Sequence, residues 1–135
     1  MSEMLTGYNE KTGLGVQFPS DGSGAIISRG IAFSSVCEHH LMPFFGTADV
    51  GYVPRGKICG LSKLARTVGV FSRRLQLQER LTVQVADELN CALDPVGVLV
   101  KIRATHTCQG CRGVRQDAEM ITIKTIGNCE EINKL

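Results

Sequence analysis

Two of the three histidines in this 135-residue chain stand side by side in CEHHLMPFFG, residues 37–46, directly behind a cysteine and a glutamate. The third lies in THTC, residues 105–108, again two positions from a cysteine. Thiolate and imidazole are donors that zinc favours, and a catalytic zinc site typically takes three protein ligands and leaves a fourth position for water. Cys37, His40 and Cys108 would make such a set. His39 and His106 would then flank the metal as proton donors or acceptors, because imidazole titrates near neutrality. A lone histidine beside an apolar run is more often structural, but two clusters that each pair cysteine with histidine favour a metal. A closed alternative stands beside this one. Cys108-Gln109-Gly110-Cys111 is a CxxC, and Cys111 added to Cys37, His40 and Cys108 would complete a structural Cys3His site with no open position. Thiol redox chemistry is disfavoured, since the βαβ context of a thioredoxin-like CxxC is absent.

Ser62-Lys63…Arg66 is a second constellation, placed at the expected start of a helix. Free N–H groups and the positive end of the dipole make such a start an anion site. A hydroxyl, an ammonium and a guanidinium fork added there suit a phosphate, although an ordinary capped helix with exposed basic residues reads the same way. The net charge is only +2, yet residues 55–80 hold seven basic residues against one acid, Glu79. That local bias fits an anionic ligand better than a nucleic acid. Gln78-Glu79 opens the next expected helix. An amide beside a carboxylate matches the N–H and carbonyl edge of a purine, while a carboxylate in a first helical turn also has a plain stabilising role.

These groups need elements to hold them. AIISRGIAFSSVC reads as a strand running into Cys37, and FFGTADVGYVP as its antiparallel neighbour after a break at Pro43. From Gly60 the period lengthens: Leu61, Leu64, Ala65, Val68, Phe71 and Leu75 mark one face of a helix with Ser62 as N-cap. A second helix runs from about Gln78 with Leu81, Val85, Leu89 and Leu93 inward, and Asp94-Pro95 stops it. In GVLVKIRATHTC, Val98, Val100, Ile102, Ala104, His106 and Cys108 share one face, which places His106 and Cys108 side by side. EMITIKTIG is a last strand. The order β-β-α-α-β-β predicts an α+β domain, a largely antiparallel sheet with two helices on one face. Residues 1–24 carry no periodicity and are expected to be a flexible, loosely attached arm, with residues 25–135 as one catalytic domain.

The length suits a single domain with a real core. No apolar run approaches the ~20 residues needed to cross a bilayer. MSEMLTGYNEKTG lacks the charged-then-apolar pattern of a secretory leader, so the six cysteines are expected to be reduced thiols or metal ligands in a cytoplasmic protein without nucleic-acid or membrane partners.

CEHHLMPFFG, GYVPRGKICGLSKLARTVGVFSRRLQLQERLT and THTCQGCRGVR together resemble the GTP cyclohydrolase I family, in its order and at its spacing, over about residues 31–127. The resemblance implies the tunnelling fold, whose subunits join edges into a pentameric β-barrel, with two rings usually stacked into a decamer and active sites between subunits. It implies one Zn2+ per subunit on Cys37, His40 and Cys108, with Cys111 not a ligand. His39, His106 and Ser62 would be catalytic. Ser62, Lys63, Arg66 and Arg112 would hold the triphosphate of GTP, and Gln78 and Glu79 its guanine edge. The implied reaction converts GTP and water to 7,8-dihydroneopterin triphosphate and formate, the first step towards folate, tetrahydrobiopterin or a 7-deazaguanine. Another pterin or purine enzyme of the same fold, and a non-catalytic zinc-stabilised nucleotide-binding ring, are the rival readings. The intact Ser62-Lys63-Arg66 set favours the first, because a pterin without triphosphate would not need it. The family commonly carries a helical N-terminal extension, and this chain resembles a short form that begins almost directly at the first strand.

Overall fold

β-Branched and aromatic residues at alternate positions build the sheet on which the site rests. The computed structural model describes residues 3–20, 24–110 and 118–133. A 3-10 turn (Glu3–Tyr8) and β1 (Gln17–Pro19) precede the long strands β2 (Ile26–Cys37) and β3 (Pro43–Val53). Next come β4 (Lys57–Cys59), helix α1 (Leu61–Ser72), β5 (Leu75–Gln76) and helix α2 (Gln78–Leu93). β6 (Gly97–His106), a single helical turn α3 (Thr107–Gly110), β7 (Met120–Gly127) and a short α4 (Glu130–Asn133) complete it. The sheet order is β5-β2-β3-β6-β7, and the four long strands pair antiparallel. The long elements thus follow the β-β-α-α-β-β order of the tunnelling fold.

The inward residues of β6 (Val98, Val100, Ile102, Ala104) and β3 (Phe44, Ala48, Val50, Tyr52) meet Leu64 and Val68 of α1 and Leu81, Val85, Leu89 and Leu93 of α2. Full burial of a side chain of the Val, Leu or Phe class contributes about 1.5–3 kcal/mol, so this interdigitated layer dominates the fold. α2 follows its expected stripe and ends where Asp94 takes a left-handed conformation. α1 does not follow its stripe throughout. Leu61 is 88% exposed, Ala65 faces outward, and Leu75 lies beyond the helix in β5. The N-cap is Gly60, without a side-chain cap, so Ser62 is the second helical residue rather than the cap.

The stretch expected to be a loose arm makes specific contacts with the rest of the chain at several described residues, although many of its side chains are exposed. β1 pairs antiparallel with β4, Gln17 opposite Cys59 and Pro19 opposite Lys57. Leu14 is buried in the core, and Gln17 Nε2 donates to Leu14 O at 2.9 Å and Ala92 O at 2.5 Å. Arg74 lies over the rings of Tyr8 and Phe71 and donates to Gly7 O. Single anchors of this kind leave no periodic trace in a sequence.

At one end of the sheet β3 and β6 approach closely. A Cβ on Gly46 would lie 1.9 Å from Arg103 O. This glycine precedes, along β6, the pairing of Phe44 with His106.

Candidate metal and nucleotide site

The turn between β2 and β3 holds both adjacent histidines. Cys37 N–H donates to Met42 O and Leu41 N–H to Cys37 O, each at 2.8 Å. Closing this loop puts Leu41 at φ 54°, a left-handed conformation that costs a residue with a side chain about 1–2 kcal/mol. Cys37 stays buried while His39 and His40 face out, their rings perpendicular with centroids 6.3 Å apart.

Cys37, His40 and Cys108 gather: their ligand atoms lie within 4.8 Å of one another. Cys37 Sγ and His40 Nδ1 are 3.7 Å apart. Tetrahedral zinc, with bonds of about 2.3 Å to sulfur and about 2.0–2.1 Å to nitrogen, would set the two about 3.6 Å apart. Donor types and spacing therefore fit zinc. Cys111, the possible fourth ligand, and Arg112 lie outside the described residues.

His106 and Cys108, expected side by side on one strand face, part company. β6 ends at His106, and the helical turn of α3 carries Cys108 to the cluster. His106 instead stacks on buried Phe44, with centroids 4.5 Å apart and an interplanar angle of 3°. Its Nε2 meets Gln78 Oε1 at 2.7 Å. Gln78 is 2% exposed. Its Nε2 donates to Ile102 O, Met120 O and Thr122 Oγ1 at 3.2, 2.9 and 3.2 Å. The hydroxyls fix that orientation: Thr82 donates to Gln78 O, so Thr122 must donate to Thr82 and can only accept from Gln78. Oε1 is then an acceptor and His106 Nε2 carries the proton, leaving Nδ1 to gain or lose one. Burial draws the His106 pKa below its ordinary value, with the charge of Glu79 pulling the other way. The Gln78 side chain, expected at a purine edge, is thus engaged by His106 and the sheet, while Glu79 is exposed.

Ser62, Lys63 and Arg66 occupy the start of α1, where the first turn has no side-chain cap. Within one protomer they are not beside the metal turn, the turn between β2 and β3 that carries Cys37 and His40 of the candidate site. α1 begins soon after the Val53 end of β3 and finishes near the opposite end, where Leu75 pairs with Val36 and Gln76 with Cys37. Its 12 residues span about 18 Å. The arm reaches this start. Gly13 has φ +80°, and a Cβ there would lie 3.1 Å from Lys63 Cδ and 3.2 Å from Nζ. Gly13→Ala is expected to cost about 1–2 kcal/mol, a drop of a few degrees in melting temperature, and, if Lys63 holds phosphate as the resemblance implies, to weaken binding of inorganic triphosphate by displacing Lys63. Unchanged triphosphate affinity would show that Lys63 needs no help from the arm.

Comparison with known proteins now adds to this geometry. The family model for GTP cyclohydrolase I matches residues 1–135. A GTP cyclohydrolase 1 of Clostridium kluyveri is 45% identical over 129 residues, which is 93% of this chain and 70% of that one. One of Leptospira biflexa is 48% identical over 114 residues, 84% of this chain and 62% of that one. The chain belongs to the GTP cyclohydrolase I family. By that membership it is a hydrolase of the GTP cyclohydrolase I type. Among solved structures, the archaeosine synthase QueF-Like in its apo form aligns with a TM-score of 0.58 over 81% of this chain and 97% of that one. At 22% identity that likeness concerns the fold alone.

Two features of this family member escaped sequence reasoning. Phe44 supports His106, and only the strand register could have revealed it. Glu38, between Cys37 and His39, forks with Arg80 of α2, which holds the Glu38 carboxyl below the usual carboxylate range. The partners are 42 residues apart, with no local pattern to join them.

Proposed function

We propose that this chain converts GTP and water to 7,8-dihydroneopterin triphosphate and formate, with one Zn2+ per subunit held by Cys37, His40 and Cys108. The observation that carries the reading is the gathering of two thiols and one imidazole within 4.8 Å, beside His39 outside that set, in a chain matched end to end by the family model. The chemistry that zinc supplies in a three-ligand site is hydroxide at near-neutral pH. His106, with Nε2 tied to Gln78, delivers a proton from Nδ1 to N7 of guanine and so makes C8 electrophilic. Glu79 accepts from the N–H edge of the base. Ser62, Lys63, Arg66 and Arg112 hold the triphosphate, a positioning role far from the scissile bond. His39 and Ser62 move protons on the ribose during its rearrangement.

The separation of the α1 start from the metal turn supports a site completed by another copy. β5 covers only Val36 and Cys37 of β2, and β7 ends the sheet on the other side, so two edges are left to pair. Copies joined edge to edge, as a pentamer or a stacked decamer, would bring one copy's phosphate residues towards another's metal turn. The reading places the enzyme in the cytoplasm, at the head of a folate, tetrahydrobiopterin or 7-deazaguanine route. No described helix is long and apolar enough to cross a membrane. Incubating zinc-loaded protein with GTP should release formate and yield a product that fluoresces as a pterin after oxidation. Neither product appearing would sink the proposal and favour a non-catalytic ring or a different substrate.

A further inference from the structure

We propose that Glu38 and Arg80 are positioning residues that lock the metal turn to the first turn of α2. The inference deepens the function proposed above and rests on its zinc reading of Cys37, His40 and Cys108.

Glu38 is gripped from two directions by one short segment. Its N–H donates to Gln76 O at 2.9 Å. Its two carboxylate oxygens accept from Arg80 Nη1 at 2.5 Å and Nη2 at 3.1 Å. Gln76 is itself fixed: it is 1% exposed, and its Nε2 donates to Phe71 O at 2.9 Å and Gln84 Oε1 at 2.6 Å. Between Gln76 and Arg80 stands Gln78, whose amide holds His106. The short segment from Gln76 in β5 to Arg80 in the first turn of α2 therefore sets Cys37 and His40 and the separate His106 in register with each other.

Exposed ion pairs generally contribute little, and both partners here are partly exposed. Three features set this pair apart. The fork is bidentate, which fixes a plane as well as a distance. The same residue is pinned through its backbone. The loop that it pins carries Leu41 in its left-handed conformation and the two exposed histidines. Glu38 itself is not among the clustered donors Cys37, His40 and Cys108. Groups that orient metal ligands from behind are worth about 10–100-fold in metal affinity or activity when removed.

The test uses full-length protein loaded with Zn2+ or Co2+, and compares Glu38→Gln, Arg80→Lys and the double variant Glu38→Gln/Arg80→Lys with the parent. Arg80→Lys keeps the charge and loses the fork, and Glu38→Gln keeps the shape. Melting curves establish that each variant is folded. Each single change is expected to speed zinc transfer to a chromogenic chelator by about tenfold or more, and to alter the visible Co2+ spectrum. It is also expected to lower kcat with little change in KM for GTP. The double variant should be little worse than either single one, because both remove the same contact. Parental zinc transfer and Co2+ spectra in both single variants would overturn the proposal and leave an ordinary surface ion pair. A higher KM in Arg80→Lys, with zinc transfer unchanged, would overturn it in favour of a substrate contact. Should the parent bind zinc but release no formate from GTP, the function above fails, and the zinc-transfer comparison still decides this proposal.

Discussion

Cys108→Ala is expected to strip the protein of zinc and abolish formate release, while Cys111→Ser keeps both. A three-ligand site cannot spare a thiolate. Without Cys108 the cluster keeps buried Cys37 and exposed His40, too few donors to hold zinc against water and buffer. Metal analysis should find close to one zinc per subunit in the parent and almost none in Cys108→Ala. Because ligand binding free energy adds to folding free energy, the variant should also melt lower than the zinc-loaded parent and no lower than parent stripped by a chelator. Cys111→Ser decides between the open and closed sites. Zinc loss there would mean a four-ligand structural site, and the hydrolase reading would lose its water position.

Gln78→Met is the second large effect. The change preserves volume and removes an amide that serves four partners: His106 Nε2, Ile102 O, Met120 O and Thr122 Oγ1. Leaving buried polar groups without a partner costs about 1–3 kcal/mol, which denaturant unfolding should register. The catalytic effect separates two roles. If Gln78 positions His106, kcat falls by about 10–100-fold, part of the 10²–10⁴ that a general acid contributes, while KM for GTP moves little. If Gln78 reads the guanine edge, KM rises and kcat holds. The 2% exposure of Gln78 argues for the first outcome.

Elements whose residues repeat were legible in the sequence. The 81-85-89-93 stripe of α2 and the alternation of β6 are enforced along the whole element, so a local window suffices. That Cys37, His40 and Cys108 come together was legible for a different reason: thiols and imidazoles declare their chemistry before any fold is known. What hid were the pairings decided only when distant segments meet. Gln78 read as a residue facing a purine edge, while β6 and β7 bring three acceptors to its amide. Ser62 looked like an N-cap because serine commonly is one, but the backbone turned at Gly60 instead. β5, two residues long, exists because Val36 and Cys37 offer it an edge.

Three consecutive residues at the start of α2 have unequal freedom to change. Gln78 is enclosed by the sheet and Arg80 is clasped by the metal turn, so only Glu79 between them is exposed without such ties. Under the proposed function, a lineage or a mutant library seeking a different base has one adjustable letter here. Most variants altered at all three positions would lose the catalyst before they could gain a new substrate.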